Sequence, residues 1–217
     1  MKKFSIIAAI AAAAAGVFAA EGEMKKLKLD VPPSQLEGTP VPVKLDNLDK
    51  NKVVNPQPMV PADVKNVALN KPVTASDDFP LSGDLAQVTD GDKGGSMGSV
   101  VEILGGVQWV QVDLEKQAEI FAVAVWHFHS QERAYNDVVV QLSDDPEFKK
   151  DVTTIFNADH DNSAGLGAGK DKAWIESNEG KLIVLEKPVK AKYVRLYSNG
   201  NSTNETNAYI EVEVFGR

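Results

Sequence analysis

Two groups of residues in this sequence combine types and spacings that suit chemistry. In His127-Phe-His129, followed by Arg133, Tyr135 and Asn136, the imidazoles stand two residues apart and on a strand would project from one side. That spacing suits a transition metal when a third ligand arrives from elsewhere, and His160, in Asp159-His-Asp-Asn162, is the remaining histidine. A metal-dependent hydrolase using His127, His129 and His160 is one reading, although no nucleophile motif or spaced acid–base pair accompanies them. Another takes His127, which follows Val125 on an apolar face, as a hydrogen-bonded packing residue. The second group is Val88-Thr-Asp-Gly-Asp92, where two carboxylates around a glycine place hard oxygen donors on one loop. Such a loop suits Ca²⁺ or is a plain Asp-Gly turn.

The elements that must position these groups are strands. From Ile120 to His129 the alternating sets Ile120, Ala122, Ala124, Trp126, Phe128 and Phe121, Val123, Val125, His127, His129 make both faces largely apolar, the pattern of a central strand whose tip emerges into a loop. Val138, Val140 and Leu142 share a face, and Ser143-Asp-Asp-Pro146 closes that strand. The last strand is Tyr209-Ile-Glu-Val-Glu-Val-Phe215, and no convincing amphipathic helix lies between it and the phrase that starts at Asn66. Short alternating strands broken by Gly, Asn and Asp turns predict an all-β, antiparallel β-sandwich over residues 62–217, with its two ends brought together and its function in loops.

The first twenty residues read as a signal peptide: Lys2 and Lys3, an apolar run from Phe4 to Phe18, and a small-x-small site at Val17-Phe-Ala19. A secreted or periplasmic protein of bacterial style is expected, and with no cysteine it has neither a disulfide nor a lipid-modified cleavage site. Without the leader the net charge becomes about −10, which disfavours nucleic acid and anionic membrane surfaces as partners. The apolar residues Phe79, Leu81 and Met97 likewise sit among Asp77, Asp78, Asp84 and Asp92. Residues 21–61 hold seven of the eleven prolines and no hydrophobic period, so they read as a Pro-rich spacer. The alternative is an arm across the sandwich, anchored by Val41, Val43, Leu45 and Leu48. The Gly-rich run Gly165 to Lys170 lacks the strand, helix and lysine spacing of a phosphate loop.

Four phrases, in order, carry a family resemblance: Asn66-Val-Ala-Leu-Asn-Lys-Pro-Val-Thr-Ala-Ser76, Trp109-Val-Gln-Val-Asp-Leu114, Tyr193-Val-Arg-Leu-Tyr197 and the terminal strand. Over roughly residues 62 to 217 the chain resembles the discoidin, or coagulation factor V/VIII type C, domains and the related family 32 carbohydrate-binding modules. The resemblance implies a jelly-roll, galactose-binding-domain-like sandwich that recognises carbohydrate through loops at one end. It implies a structural Ca²⁺ at Asp90 and Asp92, closed by Glu211 or Glu213 on the last strand, with Ser96 where the family usually carries Thr. It also implies a sugar grip by His129 and Arg133, with Tyr135, Asn136, Trp174, Asn199 and Asn201 around it. Arg and Asn supply the planar donors that vicinal hydroxyls require, and an aromatic covers the C–H face of the sugar. Trp174 reads as an exposed platform or as a residue packed inward. The amide-rich loop Ser198–Asn207 reads as ligand-binding or as a solvated turn. The functional expectation is thus a non-catalytic module binding a glycan or glycoconjugate, with an envelope protein-protein interaction domain as the alternative.

Overall fold

A computed structural model describes residues 22–38 and 42–217, and the expected leader and Val41 lie outside them. Every element of regular structure within them is a strand or a short 3-10 turn, and no helix there is long and apolar enough to cross a membrane. The strands are β1 (Met24–Lys26), β2 (Met59–Pro61), β3 (Lys65–Asn66), β4 (Val73–Ala75), β5 (Val101–Ile103), β6 (Val107–His127), β7 (Val139–Ser143), β8 (Thr153–Asn157), β9 (Lys181–Asn199) and β10 (Asn207–Gly216). All their pairings are antiparallel, in the order β3-β10-β6-β9-β7-β8, with β4 added to β6 and β5 to β10.

The two layers arise because β6 and β9 are long and bend together. Their register runs from Val107↔Asn199 to Asp113↔Tyr193, breaks, and resumes at Ala118↔Ala191. Before the break β6 pairs with β4 and the last half of β9; after it, with β10 and the first half of β9. Glu115, left-handed at φ 66°, lies within that break. The apolar faces enclose a core in which Trp126, Ile120, Leu142, Leu196 and Ile210 are fully buried. The continuously apolar Ile120–His127 stretch is central, as expected of a strand covered on both faces. The two ends of the domain meet where Asn66 pairs with Phe215 and Lys65 with Gly216.

Residues 22–38 and 42–61 do not stand away as a spacer, which corrects the leading reading of the prolines. β1 and β2 form a ladder with Leu27 and Val60 buried beside it. From there the chain runs out to Ser130, where the Glu37 amide donates to the Ser130 carbonyl. It returns past Ala158 and Ala173, held by Asn47 Nδ2 to the Ala158 carbonyl and by a parallel bridge between Leu48 and Ala173. The Asn55 amide then joins the Glu179 carbonyl to the Leu182 amide. The segment is therefore an arm. Its buried anchors are Leu27 and Val60, whereas Val43, Leu45 and Leu48 are only half-buried.

Candidate functional site

At the end of the sandwich where β6 stops, three stretches distant in sequence meet at one corner. The loop after β6 crosses the loop after β9: Asn136 and Asn199 exchange amide–carbonyl bonds, the Ser202 amide donates to the Ala134 carbonyl while Ser202 Oγ accepts the Ala134 amide, and Tyr135 forms an antiparallel bridge with Asn201. The Trp174–Glu176 stretch joins them through the Glu176 amide, which donates to the Arg133 carbonyl at 2.8 Å. His129, Arg133, Tyr135, Asn136, Trp174, Asn199 and Asn201 are thus brought together as expected. Most of them are not at the surface. His129 is 1 % exposed, Trp174 3 % and Arg133 6 %.

Each side chain has a reason for its position. The His129 ring donates from Nε2 to the Lys93 carbonyl at 3.0 Å, leaving Nδ1 without a partner in the protein. Gly95 allows this approach, because a Cβ there would meet the His129 ring at 3.0 Å and collide with Ser130 Oγ. The Arg133 guanidinium lies over the Phe128 ring, 4.7 Å from its centre, and donates to Gln131 Oε1 at 2.6 Å. Trp174 is no exposed platform: its ring packs edge-on to Phe156 at 5.7 Å and tilted against His127 at 6.0 Å. Asn201 donates to Asn204 Oδ1 and the Thr206 carbonyl and accepts the amides of Thr203 and Asn204, so its side chain builds the turn. Asn199 donates to Asp137 Oδ2.

The histidines do not form a metal site. His127 donates from Nδ1 to Glu176 Oε1 at 2.6 Å and stacks on Tyr135 at 4.2 Å, as a packing residue does. His129 is turned toward Lys93, and His160 is exposed. Among the described residues, the one trio of potential ligands within reach of each other is Asp137, Asp159 and Asp161, which contains no histidine. The metal-hydrolase reading of His127, His129 and His160 is thereby overturned. The acid trio is tied into the loops by Ser163 and Asn199, and burial raises the Asp159 carboxyl above the usual range.

Sequence reasoning missed Glu176, which is fully buried in contact with His127 and offers Oε2 without a partner. With it, the orphaned buried atoms His127 Nε2, His129 Nδ1, Arg133 Nε, Tyr135 OH and Trp174 Nε1 all belong to this corner. Burial and the Glu176 carboxylate push the Tyr135 hydroxyl far above its ordinary range, the nearby Arg133 opposing them, so it remains a neutral donor. Each unsatisfied buried polar atom costs roughly 1–3 kcal/mol, so the corner is chemically unsaturated toward any ligand rich in hydroxyls.

The Asp90 turn lies against β10. A 3-10 turn over Leu85–Thr89, capped by Asp84 and Gln87, delivers Asp90 and Gly91 to Glu211, whose Oε2 accepts the Gly91 amide at 3.1 Å. Glu211 is fully buried and its Oε1 has no partner. Burial is the main cause that pushes its carboxyl up to about 9, and Glu213 and Asp90 add to it. A buried carboxylate with an orphaned oxygen beside a second carboxylate fits a hard cation. The other expected ligands point elsewhere. Asp92 accepts from Ser99 Oγ and the Gly94 amide, Ser96 bonds to Ser99, and Glu213 pairs with Lys93 at 3.1 Å.

The comparisons agree with this architecture. The sequence model of the F5/8 type C domain matches residues 72–212. Chitosan-binding module 1 of a chitosanase/glucanase from Paenibacillus sp. IK-5 is similar at 23 % identity and a TM-score of 0.50, covering 70 % of this chain and 99 % of the module. The family 32 carbohydrate-binding module of C. perfringens NanJ, solved in complex with galactose, is similar at 12 % identity and a TM-score of 0.51, covering 70 % of this chain and 97 % of that one. No curated protein matches the chain. At these identities the structural likenesses concern the fold, whereas the match over 72–212 takes in most of the sandwich: the chain belongs to the F5/8 type C domain family.

Proposed function

We propose that this chain is a non-catalytic, exported module that binds glycan at the corner formed by the loop after β6, the Trp174–Glu176 stretch and the loop after β9. The observation that carries the reading is the convergence there of a guanidinium, a phenol, an indole and a carboxyl, each with an unpartnered polar atom. Mixed donors and acceptors beside aromatic faces suit a polyhydroxylated ring better than an apolar or phosphorylated ligand. The galactose bound by the NanJ module is a property of that protein, and it supplies the first sugar to test here. A glycan array with the full chain is expected to give a restricted set of positives, and Arg133→Ala to lose tenfold to a hundredfold in affinity for them, as expected for loss of a charged hydrogen-bonding partner worth about 1.5–3 kcal/mol. Equal binding of every positive glycan by Arg133→Ala would place the sugar elsewhere.

A second reading, contact with an envelope protein, is favoured by the exposed apolar side chains Phe79, 84 % exposed, Met97 and Leu81. An array with no positives, together with a partner lost on Phe79→Ala, would favour it.

Asp90 and Glu211 would hold a Ca²⁺ ion, whose chemistry here is to neutralise a buried carboxylate and fasten the turn to the last strand. Metal bound only by the folded state stabilises it by mass action. Calcium is expected to raise the melting temperature of the wild type relative to chelator, and Glu211→Gln, which keeps the side-chain shape without the charge, to abolish that difference. Identical wild-type melting curves in calcium and in chelator would remove the ion from the account.

A further inference from the structure

The arm's anchorage is uneven. At its base the β1–β2 ladder and the buried Leu27 and Val60 fix it to the core. Beyond them Leu29 and Val53 are partly buried, and Ser34–Gly38 are exposed. A groove of about 370 Å³ is lined by Lys28, Leu29 and Val31 of the outgoing pass, Val53–Gln57 of the returning pass and Glu179. The outer part is held mainly by single polar ties: Asn178 Nδ2 to the Pro32 carbonyl, Glu37 to Ser130, Asn47 to Ala158, and the Asp49 amide to the Ala173 carbonyl. The Asp30–Lys93 pair adds little, since its carboxylate is 96 % exposed. Segments with little buried apolar area open locally at a fraction of the free energy of global unfolding.

Those ties land beside the proposed sugar-binding residues. Ser130 follows His129, Ala173 precedes Trp174, and Lys93 supplies the carbonyl that holds His129. His129 Nδ1, Arg133 Nε and Trp174 Nε1 are buried at this corner and have no partner within the protein. We propose that the arm is a strap, hinged on the β1–β2 ladder, that closes over the His129–Arg133–Trp174 corner and opens to admit ligand. Its gating role rests on the glycan reading, whereas its opening does not. Ligand affinity is then reduced by the fraction of time the strap is open.

The chain has no cysteine, so Leu48→Cys with Ala173→Cys, the two partners of an isolated parallel bridge, adds a single tether in the full chain. A loosened form combines Asn47→Ala with Asp49→Pro and removes two ties. Solvent exchange of the Trp174 indole N–H, followed by NMR with the Trp109 indole as reference, is expected to slow about tenfold in the oxidised tether, recover on reduction and quicken in the loosened form. Binding of galactose displayed on serum albumin is expected to weaken about tenfold in the oxidised tether and to return on reduction. Trp174 exchange that is the same in the oxidised, reduced and loosened forms overturns the strap. Exchange that responds while galactose binding is equal in all forms overturns its gating role. Exchange that responds while no form binds any glycan leaves the strap supported and removes the glycan reading.

Discussion

Replacing Arg195 by alanine is expected to lower folding stability by roughly 3–5 kcal/mol, since it removes several charge-assisted hydrogen bonds and a cation–π stack at once. The guanidinium is sandwiched between Trp109, 4.1 Å from its ring centre, and Phe148, 4.2 Å away. It donates from Nε and Nη2 to Gln111 Oε1 at 2.8 and 2.6 Å and from Nη2 to the Pro146 carbonyl at 2.9 Å. Arg195 therefore joins β6, β9 and the loop after β7 into one layer. Arg195→Lys keeps the charge and loses the planar fork, so it is expected to recover little of the deficit. Urea denaturation of the three proteins checks this. An Arg195→Ala midpoint close to wild type would show that the stack is incidental.

Glu176→Ala is expected to cost about 3 kcal/mol, while Glu176→Gln costs about 1 kcal/mol. The alanine leaves the His127 Nδ1–H without an acceptor inside a fully buried cluster and opens a void beside it, whereas glutamine keeps an oxygen in place. The two positions should also be coupled. In a His127→Phe background, the further loss on Glu176→Ala is expected to shrink, because the donor it would orphan has gone. Additive losses would mean that Glu176 acts through packing alone.

The fold was legible because its evidence is local. The apolar run through Trp126 can only be a strand buried on both faces, and the Asn66 and Phe215 phrases close the domain by pairing. The arm was misread for the opposite reason. Proline density reports that a segment has no core of its own, but it does not reveal that Leu27 and Val60 can borrow one from the sandwich. The corner was legible in membership and illegible in exposure. His129, Arg133 and Trp174 do converge, yet strand alternation does not say how deeply each is buried. Asn201 shows the ambiguity of amides, since the geometry that would bind a hydroxyl equally binds the backbone of its own turn. Glu176 gave no signal, because a buried acid is explained only by its partner, and His127 is 49 residues away in sequence.

The most direct test of the proposed site is an NMR titration of the isotopically labelled full chain with galactose or an array-positive glycan, reading amide shifts residue by residue. The account predicts saturable shifts concentrated in Ser130–Asn136, Ala173–Glu176 and Asn199–Asn204, with smaller ones along the strap at Asn47–Asp49. Saturable shifts confined to another surface, such as the Phe79–Leu81 loop, or no shift with a glycan that the array scores as bound, would contradict it.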